Sequence, residues 1–150
     1  MRQKRHLLNI VIALVAIGVV IFYTVCGTSC AYLKGDLLGI PLQYGGIAFM
    51  VMIIVLSILK RDALILAAIS AAVGSEVYLM GFQVWHETFC IYCLIFGGLV
   101  GLHYIVNFDR KKKLLMAGAI MAGFLLFLVF FKGSVLPTFD TALNALQRAM

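Results

Sequence analysis

The sequence contains few charged residues and few cysteines. Charged residues make up 12% of the 150 residues, whereas hydrophobic residues make up 64%. Soluble domains are about a quarter charged, so this composition excludes an ordinary soluble globule, and its hydrophobicity excludes a disordered chain. Four cysteines are too few for a secreted disulfide scaffold. The mean hydropathy of +1.10 indicates that the excess apolar surface faces lipid.

Five apolar stretches approach the length of about 20 residues that a helix needs to cross a bilayer. They predict an all-α integral membrane protein with five transmembrane helices, in a single membrane domain over residues 1–150. The predicted spans are about 7–25, 42–59, 63–84, 89–108 and 114–131, with an outer loop at 26–41 and a C-terminal tail at 133–150. No A-x-A-like cleavage site follows the first span, so we expect it to be retained. The apolar spacing of the tail predicts an interfacial helix.

Basic residues are divided unequally between the two sides that these spans define. Three of the twelve, Lys34, Lys132 and Arg148, fall on one side. The nine on the other side are Arg2, Lys4, Arg5, Lys60, Arg61, Arg110, Lys111, Lys112 and Lys113. Positive residues beside spans stay cytoplasmic, which predicts a cytoplasmic N-terminus and an extracytoplasmic C-terminus in the inner (plasma) membrane. The net charge of +6 is therefore a topology signal, and we expect contact with membrane lipid and no nucleic-acid partner.

The four cysteines form two pairs that this topology brings to one side. Cys26 and Cys30 follow the first span, and Cys90 and Cys93 open the fourth. Because the fourth span enters the membrane from outside, all four thiols are predicted to lie at the outer face. That is the compartment in which disulfides form and persist.

The Cys90-x-x-Cys93 pair stands at a predicted helix start. Residues i and i+3 share a helical face and lie about 5 Å apart, which is within disulfide range. A helix N-terminus also stabilises a thiolate. The helical rise places Cys93 about 4.5 Å deeper than Cys90. We therefore expect Cys90 to face the aqueous side, and Cys93 to face the membrane and a lipid-soluble acceptor such as a quinone. The loop pair could then exchange with Cys90 in a thiol–disulfide relay.

Two other interpretations of the cysteines remain open. One is a structural disulfide in the loop beside an inert helix pair. The other is a zinc site, although the long spacing between the pairs and their position at the membrane edge fit it poorly, and we predict no metal. Covalent haem is excluded, because Leu94 and not histidine follows Cys93.

Three residues near the cysteines are candidates to bind a quinone. Glu76 is the only acidic residue well inside a span, and intramembrane carboxylates are functional candidates by default. It is expected to bind a quinone oxygen or relay protons; the alternative is a hydrogen-bonded residue that packs helices. Phe89 and Tyr92 flank the cysteines and are candidates to line the site, or are packing aromatics.

These elements, in this order, resemble the vitamin K epoxide reductase family, in a bacterial form without a fused thioredoxin-like domain. The likeness covers nearly the whole chain. It rests on a first span followed by a cysteine pair, Leu37-Leu38-Gly39-Ile40-Pro41-Leu42, Gly45-Gly46, Tyr78-Leu79 and Phe89-Cys90-Ile91-Tyr92-Cys93-Leu94.

The resemblance implies a quinone-linked thiol–disulfide oxidoreductase, which we expect to have a four-helix bundle core plus one additional span. By the same match, Cys26 would exchange with a separate, extracytoplasmic thioredoxin-like protein and Cys30 with Cys90. Cys93 would then pass electrons to menaquinone or ubiquinone. Alternatives are a disulfide oxidase of the DsbB type, a small proton-coupled transporter that uses Glu76, and a non-catalytic helper subunit with one structural disulfide.

Overall fold

The structure is a computed structural model that describes residues 2–25, 33–87 and 89–135. This part of the chain contains five α-helices, and the predicted helical fold class is confirmed. The helices are α1 (Arg2–Val25), α2 (Leu42–Ile58), α3 (Asp62–Trp85), α4 (Ile91–Asn107) and α5 (Lys113–Phe130). A single 3-10 turn, Arg110–Lys112, precedes α5, and Asp109 caps it by accepting a hydrogen bond from the Lys111 backbone N–H.

Within the described residues, three helical segments are long and apolar enough to cross a membrane. They are Gln3–Val25, Asp62–Trp85 and Arg110–Phe130. The helices α2 and α4 are apolar but have 17 residues each, at the lower end of the length that spans a bilayer. Large apolar side chains are nevertheless exposed on the outside of all five helices, among them Leu14, Val51, Val77, Ile105 and Leu114. An apolar exterior of this extent indicates a membrane protein.

The first four helices enclose an apolar interior, and α5 lies outside them. The helix α1 packs against α2 and α4, and α3 packs against α4 and, over a smaller area, against α2. Ala13, Ala16, Met50 and Val100 form a fully buried cluster between α1, α2 and α4. A second cluster, centred on Ile53, joins α2 to α3. The helix α5 packs along α3, which therefore contacts three other helices.

Glycines allow α3 and α5 to approach very closely. A Cβ atom on Gly74 would overlap the backbone carbonyl of Ile120, and a Cβ on Gly123 would overlap that of Ala71. The Ser75 hydroxyl lies in the same contact, 3.2 Å from the Ala71 carbonyl oxygen and 3.4 Å from that of Gly123. Small residues of this kind let helix backbones meet where lipid offers no competing hydrophobic drive.

Polar side chains are buried at the opposite end of the bundle from the start of α4. Asn9 and Asn107 donate to each other's side-chain oxygens over 3.0 and 2.8 Å. His103 Nδ1 lies 3.3 Å from Asn9 Oδ1, and since that oxygen only accepts, Nδ1 carries the proton. Asn9, His103 and Asn107, which we call the amide cluster, join α1 to α4. Near them, His6 Nε2 lies 3.2 Å from Asp62 Oδ1.

A small antiparallel sheet, which the sequence did not predict, lies at the other end. Its strands are β1 (Leu33–Leu37), β2 (Ile40–Pro41) and β3 (Phe131–Val135), in the order β2-β1-β3. The strands β1 and β2 are joined by a two-residue turn at Leu38 and Gly39, both with positive φ (54° and 81°). This is the requirement of a type I′ hairpin, and for a leucine it costs about 1–2 kcal/mol.

The sheet adds detail to two predicted segments. The predicted outer loop at 26–41 contains β1 and β2, and β1 also pairs with β3 after α5. The first residues of the predicted tail, 133–135, belong to β3: Gly133 pairs with Gly35, and the Phe131 ring covers the space beside Gly35. The rest of the tail, from residue 136, lies outside the described residues, as do Cys26 and Cys30.

Aromatic side chains fix the sheet to the helices. The Phe131 ring lies 5.4 Å from that of Phe82 and 5.8 Å from that of Tyr78 on α3, and it stacks on Phe127 of α5 at 5.9 Å. Aromatic contacts of this geometry each add about 0.5–1.5 kcal/mol beyond their buried area. The sheet therefore has a defined position over the ends of α3 and α5.

Candidate functional site

A large cavity of about 1070 Å³ opens among the helices beneath the sheet. All five helices and the three strands contribute lining residues, most of them apolar. Small residues on α2 and α3, such as Gly45, Gly46 and Ala72, leave the space that bulkier side chains would fill. A volume of this order, with few polar groups, is typical of sites for small organic molecules.

The charged groups of the cavity are few and of one sign. Glu76 on α3 and Asp36 on β1 are its two acidic lining residues. No lysine, arginine or histidine from the described residues lines it. An anionic ligand would meet no cationic partner among the described lining residues, so the cavity favours a largely apolar molecule without negative charge.

The cysteine pair stands at the start of α4, as the sequence predicted. Cys90 is the N-cap residue of α4, with an extended backbone (φ −99°, ψ 113°), and Cys93 is its third helical residue. Cys93 lines the cavity, whereas Cys90 does not. The expectation that Cys90 faces the aqueous side is wrong, because only 2% of it is exposed. Cys93 faces the interior of the bundle rather than the surrounding lipid.

Glu76 also lies in the cavity wall, one helical turn further along it than Cys93. Its carboxyl group packs against α4 at Gly97, where a Cβ would lie 3.0 Å from Glu76 Oε2. Gly97 follows Cys93 by four residues and therefore lies on the same face of α4. The absence of a side chain at Gly97 lets the Glu76 carboxyl group reach this face. The structure thus brings Cys93 and Glu76 to a shared region of the cavity wall.

The two aromatic candidates differ in position. Tyr92 lines the cavity, and its ring lies 5.4 Å from that of Tyr23 and 6.1 Å from that of Phe22, both on α1. Phe89 does not line the cavity, and most of its surface is exposed. Of the two, the structure places only Tyr92 where it could contact a molecule in the cavity.

The end of α1 lies beside the start of α4. The ring contacts of Tyr92 with Phe22 and Tyr23 join the last turn of α1 to the first turn of α4. Cys26 follows Val25, the last residue of α1, directly in the sequence. The described part of α1 thus ends at this junction, and Cys26 itself lies outside the described residues.

Gln83 is a polar residue of this site that the sequence analysis did not single out. It lines the cavity from α3, two turns beyond Glu76. Its Oε1 accepts a hydrogen bond of 2.9 Å from the Cys90 backbone N–H. Only a weak signal in the sequence points to Gln83 as a site residue. It is an uncharged polar residue seven positions after Glu76, and it therefore lies on the same face of α3.

Comparison with known proteins gives no relative for this chain: no family model, curated protein or solved structure matches it. In the described residues, no three histidine, cysteine, aspartate or glutamate side chains lie close enough together to hold a metal ion.

Proposed function

We propose that the protein is a quinone-dependent thiol–disulfide oxidoreductase of the vitamin K epoxide reductase kind. The observation that carries the proposal is the position of Cys93 and Glu76 on the wall of one large apolar cavity. A quinone is neutral, mostly apolar and lipid-soluble, and the described residues give this cavity an apolar lining with no lysine, arginine or histidine. A thiol that lines such a cavity is within reach of a quinone ring, whereas a thiol at the lipid surface meets it only by collision.

The proposed reaction is a two-electron transfer. The Cys90 and Cys93 thiols lose two electrons and two protons and form one S–S bond, and the quinone gains both and becomes a quinol. Glu76 would hydrogen bond a quinone oxygen and pass it a proton as the charge on that oxygen develops. The oxidised pair is then reduced by Cys26 and Cys30, which exchange disulfides with a thioredoxin-like protein outside the cytoplasm.

The proposal requires that all five helices span the inner (plasma) membrane. The 17 residues of α2 and α4 correspond to about 26 Å, and a bilayer that thins locally accommodates this length. With five spans, the basic segments around Arg61 and Lys111 remain in the cytoplasm. The start of α4, the end of α1 and the sheet then lie on the extracytoplasmic side.

The decisive experiment measures quinone reduction by the purified protein in lipid nanodiscs. With a small dithiol as donor, we expect Cys90→Ala and Cys93→Ala to abolish quinol formation. Under the same conditions, Cys26→Ala and Cys30→Ala should remain active, because a small dithiol can reduce the inner pair directly. With a reduced thioredoxin-like protein as donor, all four variants should be inactive.

Leu94→Ala is the matched control, because Leu94 adjoins Cys93 but does not line the cavity. It should reduce quinone at the rate of the unmodified protein. Quinol formation by Cys93→Ala at that same rate would refute the proposal.

Glu76 also supports a second candidate, a proton-coupled transporter with its substrate in the same cavity. The two candidates differ in their response to Glu76→Gln. The oxidoreductase should lose about 10²-fold in turnover, the usual contribution of a general acid, and keep its dependence on both inner cysteines. A transporter should lose proton-coupled uptake with Glu76→Gln and retain it with Cys93→Ala.

A further inference from the structure

We infer that Gln83 is a positioning residue for the cysteine pair: its side-chain oxygen fixes the Cys90 backbone at the start of α4. This inference rests on the proposed redox function of the pair. Gln83 does not have to touch the quinone or exchange electrons for this role.

A buried hydrogen bond between two consecutive helices supports this role. Gln83 Oε1 accepts from the Cys90 N–H over 2.9 Å, and the exposed fractions of the two residues are 3% and 2%. Because a backbone N–H can only donate, the accepting atom is the amide oxygen and not the nitrogen. The orientation of the Gln83 amide is thereby assigned by its partner rather than assumed.

The Cys90 N–H has no place in the hydrogen-bond ladder of α4. Cys90 is the N-cap residue, so its carbonyl accepts the first helical bond, from the Leu94 N–H at 3.0 Å, but its own N–H points away from the helix. A donor of this kind that is buried without a partner destabilises the folded chain, because nothing replaces its hydrogen bond to water. The end of α3 supplies the acceptor, and this ties the conformation of Cys90 to a rigid neighbouring helix.

A fixed Cys90 backbone matters because the disulfide geometry is narrow. The two Cα atoms must lie about 4.4–6.8 Å apart, with the Cβ atoms directed toward each other. Cys93 is held by the regular helix, but Cys90 lies just before it, where the backbone is free to adopt other conformations. Each turnover opens and closes the S–S bond. A Cys90 that returns to the same position closes it with a smaller loss of conformational entropy.

Gln83 also lines the cavity, so a direct contact between its amide nitrogen and the quinone is the competing role. Two substitutions separate the roles. Gln83→Met keeps the length of the side chain and removes the oxygen acceptor. Gln83→Glu keeps an oxygen that accepts from the Cys90 N–H and removes the amide donor. Gln83→Asn keeps the amide but shortens the side chain, and it replaces Gln83→Met if that variant does not fold.

The experiment has two measurements on each variant. The first is steady-state quinone reduction in nanodiscs, with kcat and the KM for quinone determined separately. The second is the reduction potential of the Cys90–Cys93 pair in a dithiol–disulfide buffer, in a Cys26→Ala/Cys30→Ala background and without quinone. We expect Gln83→Met to weaken disulfide closure about tenfold, which makes the potential about 30 mV less negative. Its kcat should fall with little change in KM. By contrast, Gln83→Glu should retain kcat and the KM for quinone within about threefold.

Several outcomes overturn the inference. If Gln83→Met and Gln83→Asn have the potential and kcat of the unmodified protein, the hydrogen bond does not position the pair. If Gln83→Glu raises the KM for quinone and loses kcat as much as Gln83→Met does, Gln83 is a ligand contact. If the unmodified protein reduces no quinone, the proposed function fails, and the potential measurement still decides the role of Gln83.

Discussion

The crossing of α3 and α5 offers a sharp test of the packing, because a single methyl group should disrupt it. In Gly123→Ala, the new Cβ would overlap the Ala71 carbonyl, and in Gly74→Ala it would overlap the Ile120 carbonyl. Both obstacles are backbone atoms, which cannot rotate away as the end of a flexible side chain can. The two helices must therefore move apart along their contact.

The structure allows the cost of this movement to be estimated. A gap of about 0.5–1 Å already forfeits about a quarter to a half of the dispersion energy of each contact across the interface. The Ser75 hydroxyl, which lies 3.4 Å from the Gly123 carbonyl, would also lose that contact. Overpacking of this kind costs about 1–3 kcal/mol. We expect each substitution to lower the thermal unfolding midpoint in detergent by several degrees, and Gly74→Ala to resemble Gly123→Ala.

Each variant has a matched control on the same helix. A Cβ on Gly118 of α5 or on Gly81 of α3 meets nothing within 4 Å. Alanine at these positions should leave the midpoint unchanged or raise it, since alanine favours a helix over glycine by about 1 kcal/mol. If Gly123→Ala unfolds at the same temperature as Gly118→Ala, α3 and α5 are not in the contact described and the reasoning is refuted.

Two further predictions concern the amide cluster and the cavity wall. Asn107→Leu removes both hydrogen bonds between Asn107 and the buried Asn9 amide, which keeps only its contact with His103 Nδ1. Denaturant titration should show a loss of about 1–3 kcal/mol. The double variant with Asn9→Leu should lose less than the sum of the single variants; additive losses would mean that the two amides do not interact. Gly97→Ala places a methyl group 3.0 Å from Glu76 Oε2 and should slow quinone reduction, whereas Gly98→Ala, with open space around its Cβ, should not. Equal rates would show that the position of the Glu76 carboxyl group is unimportant.

The helices could be predicted from the sequence because their signal is local. Each apolar stretch specifies a helix without reference to the rest of the chain, since a backbone in lipid must satisfy its own hydrogen bonds. The start of α4 followed in the same way, from an apolar run that opens with Cys90 and Cys93. The placement of both cysteines on one turn needed only the helical period.

The remaining features depend on partners that are distant in the sequence. The strand β1 has the sequence LKGDL, which carries little β-propensity, and its partner β3 begins more than ninety residues later, after α5. In the sequence, Asn9 is a single polar residue within an apolar run, and its partner Asn107 lies on another helix. The burial of Cys90 likewise follows from the packing of α3, which no periodicity in α4 encodes.

The pairing of β3 with β1 gives the segment after α5 a fixed exit point. Gly133 of β3 lies against Phe82 near the end of α3, and Gln83 joins that end of α3 to Cys90 at the start of α4, so the chain reaches Val135 at this end of the bundle. A protein domain fused after Val135 would therefore be held near the start of α4, where Cys90 and Cys93 lie. Under the proposed function, a fluorescent or affinity tag placed there would compete with the redox partner for the same space, whereas a tag before Arg2 would not.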